Sequence, residues 1–288
     1  MVLNAVLLFL FSTSQPALAD DVSIDATTAY YGQEFRDARV GGVRDESLIE
    51  VIREVISQRH LRHPGQMDTI GNCDTADRNC KGHVSVGYNT ARSTIFGNLY
   101  LVESGGGYGV EEVYCQHIYD RSDFKKAPFP GPDVIPNHSV VNAEHTWPQS
   151  KFNRRMDSGM QKSDLHHLFP TDSEMNSTRG NFEFGDVDTP ERELRCPESK
   201  IGSIKGENGR FFEPPAPHKG NVARALFYFS VRYQIPIGGR QEATLRRWTK
   251  LDPVDAEERD RNDAIQKVQG NRNPFVDYPE LSDSISNF

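Results

Sequence analysis

Three things are scarce in this 288-residue sequence: long apolar runs, cysteine and excess positive charge. After the first 20 residues, no apolar run approaches the ~20 residues that a membrane-spanning helix needs. The formal net charge is -8, whereas proteins that bind nucleic acid usually present excess basic charge. The sequence therefore excludes a chain that is basic throughout, although a binding face needs only local positive charge. We expect a soluble protein without a membrane span.

The first residues, MVLNAVLLFLFSTSQPALAD, predict a signal peptide. The apolar run at residues 2–11 is too short to cross a bilayer. It is followed by Ala17-Leu18-Ala19, a small-x-small site that suits signal peptidase. We therefore expect residues 1–19 to be removed and residues 20–288 to form a secreted or periplasmic domain. The usual basic residue near the start is missing, which indicates a misassigned start codon or an atypical signal peptide. A buried N-terminal helix is the alternative interpretation.

The sequence contains four cysteines, an even number that suggests disulfides in an exported chain. Cys73 and Cys80 bracket a polar loop and are the natural pair, so that Cys115 and Cys196 would pair by elimination. Three connectivities are possible for four cysteines, and the sequence alone does not choose among them. A zinc site is the alternative, but the spacings lack the short Cys-x2-4-Cys pair of such sites.

Apolar periodicity predicts one mature domain of mixed α+β class, because no repeat or low-complexity linker divides the chain. Asp45 is the expected cap of the first predicted helix. The predicted helices cover residues 45–60, 88–97, 220–233, 240–251 and 258–270. The predicted strands cover residues 98–102, 109–119 and 140–145, with a proline-rich loop at 125–139.

Basic residues are concentrated late in the chain. Residues 219–250 contain seven basic side chains and one acidic side chain, a formal charge of +6. Such a run is ordinarily a solvated face. Beside a site that cleaves phosphodiesters it would instead guide a polyanion. Arg246 and Arg247 are the candidate nucleic-acid contacts in this segment.

Two segments, NAEHTWPQSKFN and SDLHHLFPTDSEMNSTRGNFEFG, concentrate polar and titratable side chains. Hydrolysis of a phosphodiester needs a base for water and positive charge on the phosphate, and histidine suits the first role. Mg²⁺ suits the second, because it needs only one or two protein oxygen ligands. His145 is the candidate base, and Glu144 and Asn176 are the candidate ligands. Alternatively, Glu144 and His145 lie on the surface, and Asn176 shapes a turn.

The stretches NAEHTWPQS, DLHHLFPTDSEMNSTRGN and KVQGNRNPFV resemble the endonuclease I family of secreted and periplasmic nucleases. This family lies within the ββα-metal, or His-Me finger, group. The resemblance extends from about residue 88 to residue 276. It implies a ββα-metal nuclease core with surrounding helices. It also implies a sequence-nonspecific, Mg²⁺-dependent endonuclease, with Mn²⁺ or Ca²⁺ as substitutes. The expected substrates are DNA and RNA, and the expected products carry 5′-phosphate and 3′-hydroxyl ends.

The resemblance also implies roles for individual residues. His145 matches the general base of the family, and Glu144 and Asn176 match its metal ligands. A family arginine contacts the scissile phosphate from the insert between the two motifs. Because that insert, KFNRRMDSGMQKS, is short here, Arg154 and Arg155 are both candidates, with Arg155 slightly favoured. Lys162 and Arg179 are the remaining predicted nucleic-acid contacts.

Two other functions remain open from the sequence. A zinc-dependent phosphoesterase would use His145, His166 and His167 as ligands, whereas we read the last two first as structural residues. An exported nucleic-acid-binding module without activity is the second alternative. For a nuclease, the overall acidity predicts a local basic groove and salt-sensitive activity. We expect the protein to be a monomer.

Overall fold

Helices and strands are mixed along the chain in the computed structural model, which describes residues 24–288. Within them the helices are α1 Ala26–Val40, α2 Asp45–Ser57, α3 Tyr88–Thr94, α4 Ser158–Ser163, α5 Ser173–Arg179, α6 Lys219–Tyr233, α7 Gly239–Leu251, α8 Ala256–Gln269 and α9 Pro274–Asp277. The strands are β1 Arg59–Leu61, β2 Thr69–Ile70, β3 Cys80–Gly82, β4 Leu101–Ser104, β5 Gly107–Glu111, β6 Ile118–Asp120, β7 Val141–His145, β8 Leu168–Asp172, β9 Glu183–Phe184, β10 Thr189–Pro190, β11 Lys200–Ser203 and β12 Phe211–Glu213. The predicted α+β class is confirmed.

The strands of this part of the chain form small separate sheets. Their orders are β2-β1-β3, β4-β5-β6, β7-β8 and β10-β11-β12-β9. Pairing is antiparallel except between β12 and β9. Among residues 24–288, no helix has the length and apolarity to cross a bilayer. The predicted signal peptide lies outside the described residues.

Helix α6 lies at the centre of the main core. Its apolar side chains, including Phe227 and Phe229, are fully buried, and they pack in one cluster with residues of α2 and α7. A helix that is apolar on most sides is stable only when other elements surround it. Arg224 on the same helix is also buried, and its charge is compensated by Glu258 of α8, 2.5 Å away.

A second apolar cluster joins α3 to the β7–β8 hairpin. It includes Ala91 of α3, Ile95 and Phe96 of the following turn, Val141 of β7 and Leu168 of β8. All five side chains are at most 1% exposed. This packing fixes the position of α3 relative to the hairpin, and the cavity described below lies between them.

Two disulfides are present, Cys73–Cys80 and Cys115–Cys196. This is the pairing that the sequence favoured. The first closes the polar loop between β2 and β3. The second joins residues 81 positions apart, and so ties the segment after β5 to the loop before β11.

The single strand predicted at residues 109–119 is wrong, because β5 ends at Glu111 and β6 begins at Ile118. The Glu112 carboxylate accepts backbone N–H groups of Tyr114, at 3.0 Å, and His117, at 3.4 Å. These bonds stabilise a turn that periodicity does not reveal. The predicted cap at Asp45 is also wrong, since its carboxylate accepts the N–H of Ser286 at 2.8 Å.

Candidate active site

The two motif segments form a strand–strand–helix unit. Strand β7 pairs with β8, with Glu144 opposite Phe169 and His145 opposite Leu168. Helix α5 follows directly, because the Asp172 carboxylate accepts the N–H of Glu174 at 2.9 Å and caps it. This arrangement brings α5 back against the hairpin that contains Glu144 and His145.

A cavity of about 440 Å³ lies between this unit and α3. Its lining includes Glu144, His145, Gln149 and Asn176 on one wall, and Tyr88 and Arg92 on the other. The structure therefore brings the predicted base and both predicted metal ligands together in one cavity.

Neighbouring groups fix the tautomer of His145. Its Nε2 lies 3.1 Å from the backbone carbonyl oxygen of Lys162, and a carbonyl can only accept, so Nε2 carries the proton. Nδ1 is then a lone-pair acceptor, 3.3 Å from the donating amide of Gln149. Burial and, to a smaller extent, the nearby His167 lower the pKa of His145 to about 3. The imidazole is therefore neutral near pH 7, as a general base must be.

Glu144 is almost fully buried, at 2% exposure, and one of its oxygens is fixed. Oε1 accepts the Tyr114 hydroxyl at 3.0 Å and pairs with Arg179 Nη1 at 2.7 Å. No residue in the described part of the chain donates a hydrogen bond to Oε2 within the cavity. Burial raises the pKa of Glu144, whereas Arg179 and the Tyr114 hydroxyl oppose this effect.

The amide of Asn176 is fixed in the same way. Its Nδ2 donates to the Ala143 carbonyl at 3.2 Å and to Asn142 Oδ1 at 2.6 Å. Because the Ala143 carbonyl can only accept, the amide nitrogen must face it. The Asn142 amide is in turn held by its donation to Ser173 Oγ at 3.1 Å. Asn176 Oδ1 is left without a donor among residues 24–288.

These two oxygens suit a hard divalent cation. Mg²⁺ is typically bound through one or two protein oxygens while it keeps several waters. Glu144 Oε2 and Asn176 Oδ1 have this chemistry. The other polar atom of each side chain, Glu144 Oε1 and Asn176 Nδ2, is fixed by hydrogen bonds within the protein. Across residues 24–288, no three His, Cys, Asp or Glu side chains are grouped to hold a metal ion. The donor set therefore fits Mg²⁺ better than a histidine-rich zinc site.

His166 and His167 occupy buried structural positions. Nε2 of His166 donates to the Asn271 carbonyl at 3.2 Å, and Nε2 of His167 donates to the Gln161 carbonyl at 2.8 Å. Both side chains are at most 1% exposed. This geometry agrees with the structural interpretation of the two residues.

Arg179, which the sequence predicted as a nucleic-acid contact, is buried and bonded within the protein. It is 1% exposed, and its guanidinium pairs with Glu144 and donates to the carbonyls of His145, at 3.0 Å, and Thr146, at 2.6 Å. These partners favour a structural role, and contact between Arg179 and nucleic acid stays a prediction. Arg179 holds the end of β7 and orients the Glu144 carboxylate.

Arg154 and Arg155 lie on an exposed turn that does not line the cavity. The Gln161 side chain anchors this turn by accepting the Asn153 N–H at 2.8 Å and donating to the Asn153 carbonyl at 3.0 Å. The contact of either arginine with the scissile phosphate stays a prediction. Lys162 lies beside the cavity, with Nζ 4.5 Å from the ring centroid of Tyr88 in the cavity wall.

The basic segment at residues 219–250 is largely neutralised by ion pairs. Arg246 pairs with Glu242 and donates to the Ile285 carbonyl at 2.5 Å, so it has structural partners, and its role in binding nucleic acid stays a prediction. Arg247 pairs with Asp186 at 3.0 Å but is more exposed, and its role stays a prediction. The remaining pairs are Lys219–Glu213, Arg224–Glu258, Arg240–Glu207 and Lys250–Asp283.

Sequence reasoning missed several residues of the site. Asn142 and Gln149 lie within or beside the quoted motif, and their polar side chains close to Glu144 and His145 were a usable signal. Tyr114 and Arg92 lie about 30 and 50 residues before the motif, and no local pattern connects them to it. Tyr114 is fixed by the adjacent disulfide and by Ser199 Oγ, which donates to its carbonyl at 2.8 Å.

Comparison with known proteins agrees with this geometry. The family model for endonuclease I matches residues 115–280, which contain the whole strand–strand–helix unit. An extracellular ribonuclease of Bacillus subtilis (strain 168) is 38% identical over 166 residues, covering 50% of this chain and 53% of the relative. The chain therefore spans about half the length of this relative.

Two further relatives come from Aeromonas hydrophila. An extracellular deoxyribonuclease is 33% identical over 117 residues, covering 40% of this chain and 49% of the relative. A periplasmic deoxyribonuclease is 25% identical over 194 residues, covering 66% of this chain and 80% of the relative. Because the family model covers more than half of the sequence, this chain belongs to the endonuclease I family.

Proposed function

We propose that this protein is an exported, Mg²⁺-dependent and sequence-nonspecific endonuclease. It hydrolyses phosphodiester bonds of DNA and also of RNA, leaving 5′-phosphate and 3′-hydroxyl ends. One observation carries the proposal: a neutral imidazole with its lone pair on Nδ1 shares a cavity with two oxygens that lack donors, Glu144 Oε2 and Asn176 Oδ1.

In this proposal His145 activates the attacking water. Nδ1 accepts a proton from water while the water oxygen forms a bond to phosphorus. The bond between phosphorus and the 3′-oxygen breaks, and the 3′-oxygen takes a proton from solvent to become the 3′-hydroxyl. The Nε2–H bond to the Lys162 carbonyl keeps the ring in orientation as it becomes charged. Gln149 Nε2 lies 3.3 Å from Nδ1, so its amide turns away before water donates to this nitrogen.

Glu144 and Asn176 would hold the cation through Oε2 and Oδ1. When bound, Mg²⁺ supplies positive charge that offsets the charge developing on the phosphate and leaving oxygens. Tyr114 and Arg179 keep the Glu144 carboxylate in place, and Asn142 keeps the Asn176 amide turned toward the cavity. Loss of such an outer contact typically lowers metal affinity by about 10–100-fold.

Substrate choice follows from the charge of the cavity and from the relatives. The charged groups other than histidine that line the cavity are Arg92, Arg179 and Glu144, two cations and one anion, so the lining is locally positive although the chain is acidic. Recognition through phosphates carries no sequence information, which supports sequence tolerance. The relatives include enzymes named for DNA and for RNA, and their names place them outside the cell or in the periplasm.

The test is cleavage of supercoiled plasmid and of a long RNA by the purified protein and by His145→Ala. We expect nicking with Mg²⁺, none with EDTA, and a loss of about 10²–10⁴-fold in the variant, the usual contribution of a general base. Products should be ligated without prior kinase treatment, because their 5′ ends carry phosphate. Binding without cutting would favour the non-enzymatic module. Activity that survives with Zn²⁺ alone would favour the zinc phosphoesterase.

A further inference from the structure

The wall of the cavity opposite Glu144 contains an arginine that sequence reasoning did not single out. Tyr88 and Arg92 are four residues apart on α3 and therefore lie on one face of the helix. The Arg92 Cζ lies 4.9 Å from the Tyr88 ring centroid, and Nη2 donates to Asn89 Oδ1 at 2.7 Å. These contacts fix the guanidinium in the cavity wall.

The charge of Arg92 is not compensated. Among residues 24–288, no carboxylate lies within ion-pairing distance of its guanidinium, and its buried Nε has no hydrogen-bond partner. Arg179, the other arginine of the cavity lining, already pairs with Glu144 and donates to two carbonyls. Arg92 is therefore the lining arginine that remains available to an anion.

Tyr88 connects this arginine to the proposed base. Its ring centroid lies 5.5 Å from that of His145, and the Lys162 ammonium lies 4.5 Å from the same ring. The Lys162 carbonyl also orients His145. One aromatic ring thus gathers two cations beside the imidazole, where cation–π attraction stabilises them without neutralising their charge.

We propose that Arg92 binds the phosphate of the phosphodiester that is cut, and that Tyr88 is its positioning residue. This inference rests on the proposed nuclease function. A guanidinium presents a planar pair of donors that matches two phosphate oxygens, and such contacts strengthen as negative charge develops in the transition state. Arg92 would thus fill the role expected of Arg154 or Arg155, which lie outside the cavity.

The experiment measures kcat and KM on a short labelled duplex for wild type, Arg92→Ala, Arg92→Lys and the control Arg36→Ala. Arg36 is an exposed arginine of α1 that does not line the cavity. We expect Arg92→Ala to lower kcat by about 10²–10³-fold, the typical effect of losing one transition-state donor. Arg92→Lys should recover part of this loss, because lysine restores the positive charge but not the planar pair of donors. Arg36→Ala should match wild type.

Arg154→Ala and Arg155→Ala are measured in parallel and should lower kcat less than Arg92→Ala. Tyr88→Leu should lower kcat by about 10-fold, and in combination with Arg92→Ala it should add little, because both changes disrupt one unit. Thermal unfolding of each variant separates misfolding from loss of chemistry, and Arg92→Lys keeps the cation over the ring if Arg92→Ala proves unstable.

If the wild-type protein is active and Arg92→Ala has the same kcat, this inference is overturned and the proposed function is left intact. An effect confined to KM, or a larger loss of kcat in Arg154→Ala or Arg155→Ala, would do the same. A wild-type protein that binds the duplex but never cuts it would instead overturn the proposed function, and the assignment of Arg92 to a cut phosphodiester would fall with it.

Discussion

The two walls of the cavity are built differently. The wall formed by β7, β8 and α5 comes from one stretch of about 40 residues, and each functional side chain there is fixed by a second hydrogen bond. The α3 wall comes from a segment about 50 residues earlier in the chain. Its functional side chains are held by cation–π contacts and one amide oxygen.

This difference matches the two tasks that the walls would perform. A base and cation ligands must be positioned within a fraction of an ångström, and networks of hydrogen bonds achieve this. A phosphate contact must keep its charge available, which an ion pair with a carboxylate would prevent. The cavity thus contains two arginines with opposite roles, Arg179 fixed to Glu144 and Arg92 without an ionic partner.

The largest expected effect on stability is that of Arg179→Ala. Breaking a buried ion pair by removing one partner leaves an uncompensated charge and costs about 3–5 kcal/mol in the free energy of unfolding. Denaturant unfolding of Arg179→Ala and Arg92→Ala should therefore differ strongly, with Arg92→Ala close to wild type. Equal destabilisation of the two variants would contradict the distinction between the walls.

Asn142→Ala should weaken metal binding rather than the fold. Without the Asn142 oxygen, the Asn176 amide keeps only its 3.2 Å bond to the Ala143 carbonyl and is held less firmly. Loss of such an outer contact typically lowers metal affinity by about 10–100-fold. The Mg²⁺ concentration that gives half-maximal cutting should rise accordingly, with the maximal rate largely restored at saturation. An unchanged Mg²⁺ dependence would show that Asn142 does not orient the ligand.

Because several histidines are buried, the free energy of unfolding should fall as the pH is lowered. Burial lowers the pKa of His83 and His167 to about 4, and that of His166 and His218 to about 3. An unfolded histidine titrates near 6.5, so below that pH only the unfolded state takes up the proton. Above pH 6.5 both states are neutral and no such effect exists.

Each of these histidines should therefore lower the free energy of unfolding by about 1.4 kcal/mol per pH unit between pH ~6.5 and ~4. Urea unfolding at pH 7.5, 6.5 and 5.5 measures the slope. His218→Gln should reduce this slope by about 1.4 kcal/mol per pH unit, the contribution of one proton, whatever its effect on absolute stability. The same slope in wild type and His218→Gln would contradict the prediction.

The smallest effect is expected at Arg247. Its guanidinium is 57% exposed and pairs with Asp186 at 3.0 Å, and surface pairs of this kind contribute about 0–1 kcal/mol. If Arg247 contacts nucleic acid, Arg247→Ala should raise KM and flatten the salt dependence without lowering kcat. A loss of kcat as large as that of Arg92→Ala would place the active site elsewhere.

The sequence was most informative where the functional residues lie close together along the chain. Glu144, His145 and Asn176 lie within one local unit, and the two polar motif segments that contain them predicted a common site. Arg179 belongs to the same unit, yet its partner Glu144 lies 35 residues earlier, and nothing local shows that the pair is buried. The sequence therefore did not indicate its structural contacts, and its contact with nucleic acid stays a prediction.

Long-range contacts explain the other differences. The charge of the segment at residues 219–250 is compensated by acidic residues that include Asp186, Glu207, Glu258 and Asp283, which are distant in sequence. The turn at Glu112 depends on a side chain that accepts backbone N–H groups. Arg92 approaches His145 only because α3 packs on the β7–β8 hairpin. Composition and periodicity contain none of this information.

The most direct measurement is the rescue of His145→Ala by imidazole. The central claim is that the cavity is a nuclease active site in which the His145 imidazole accepts the proton from water. Plasmid nicking by the variant should be slow and should increase with added imidazole at constant pH, Mg²⁺ and ionic strength, whereas Asn142→Ala should not respond. Nicking by His145→Ala at the wild-type rate, or equally slow nicking at every imidazole concentration, would contradict the claim.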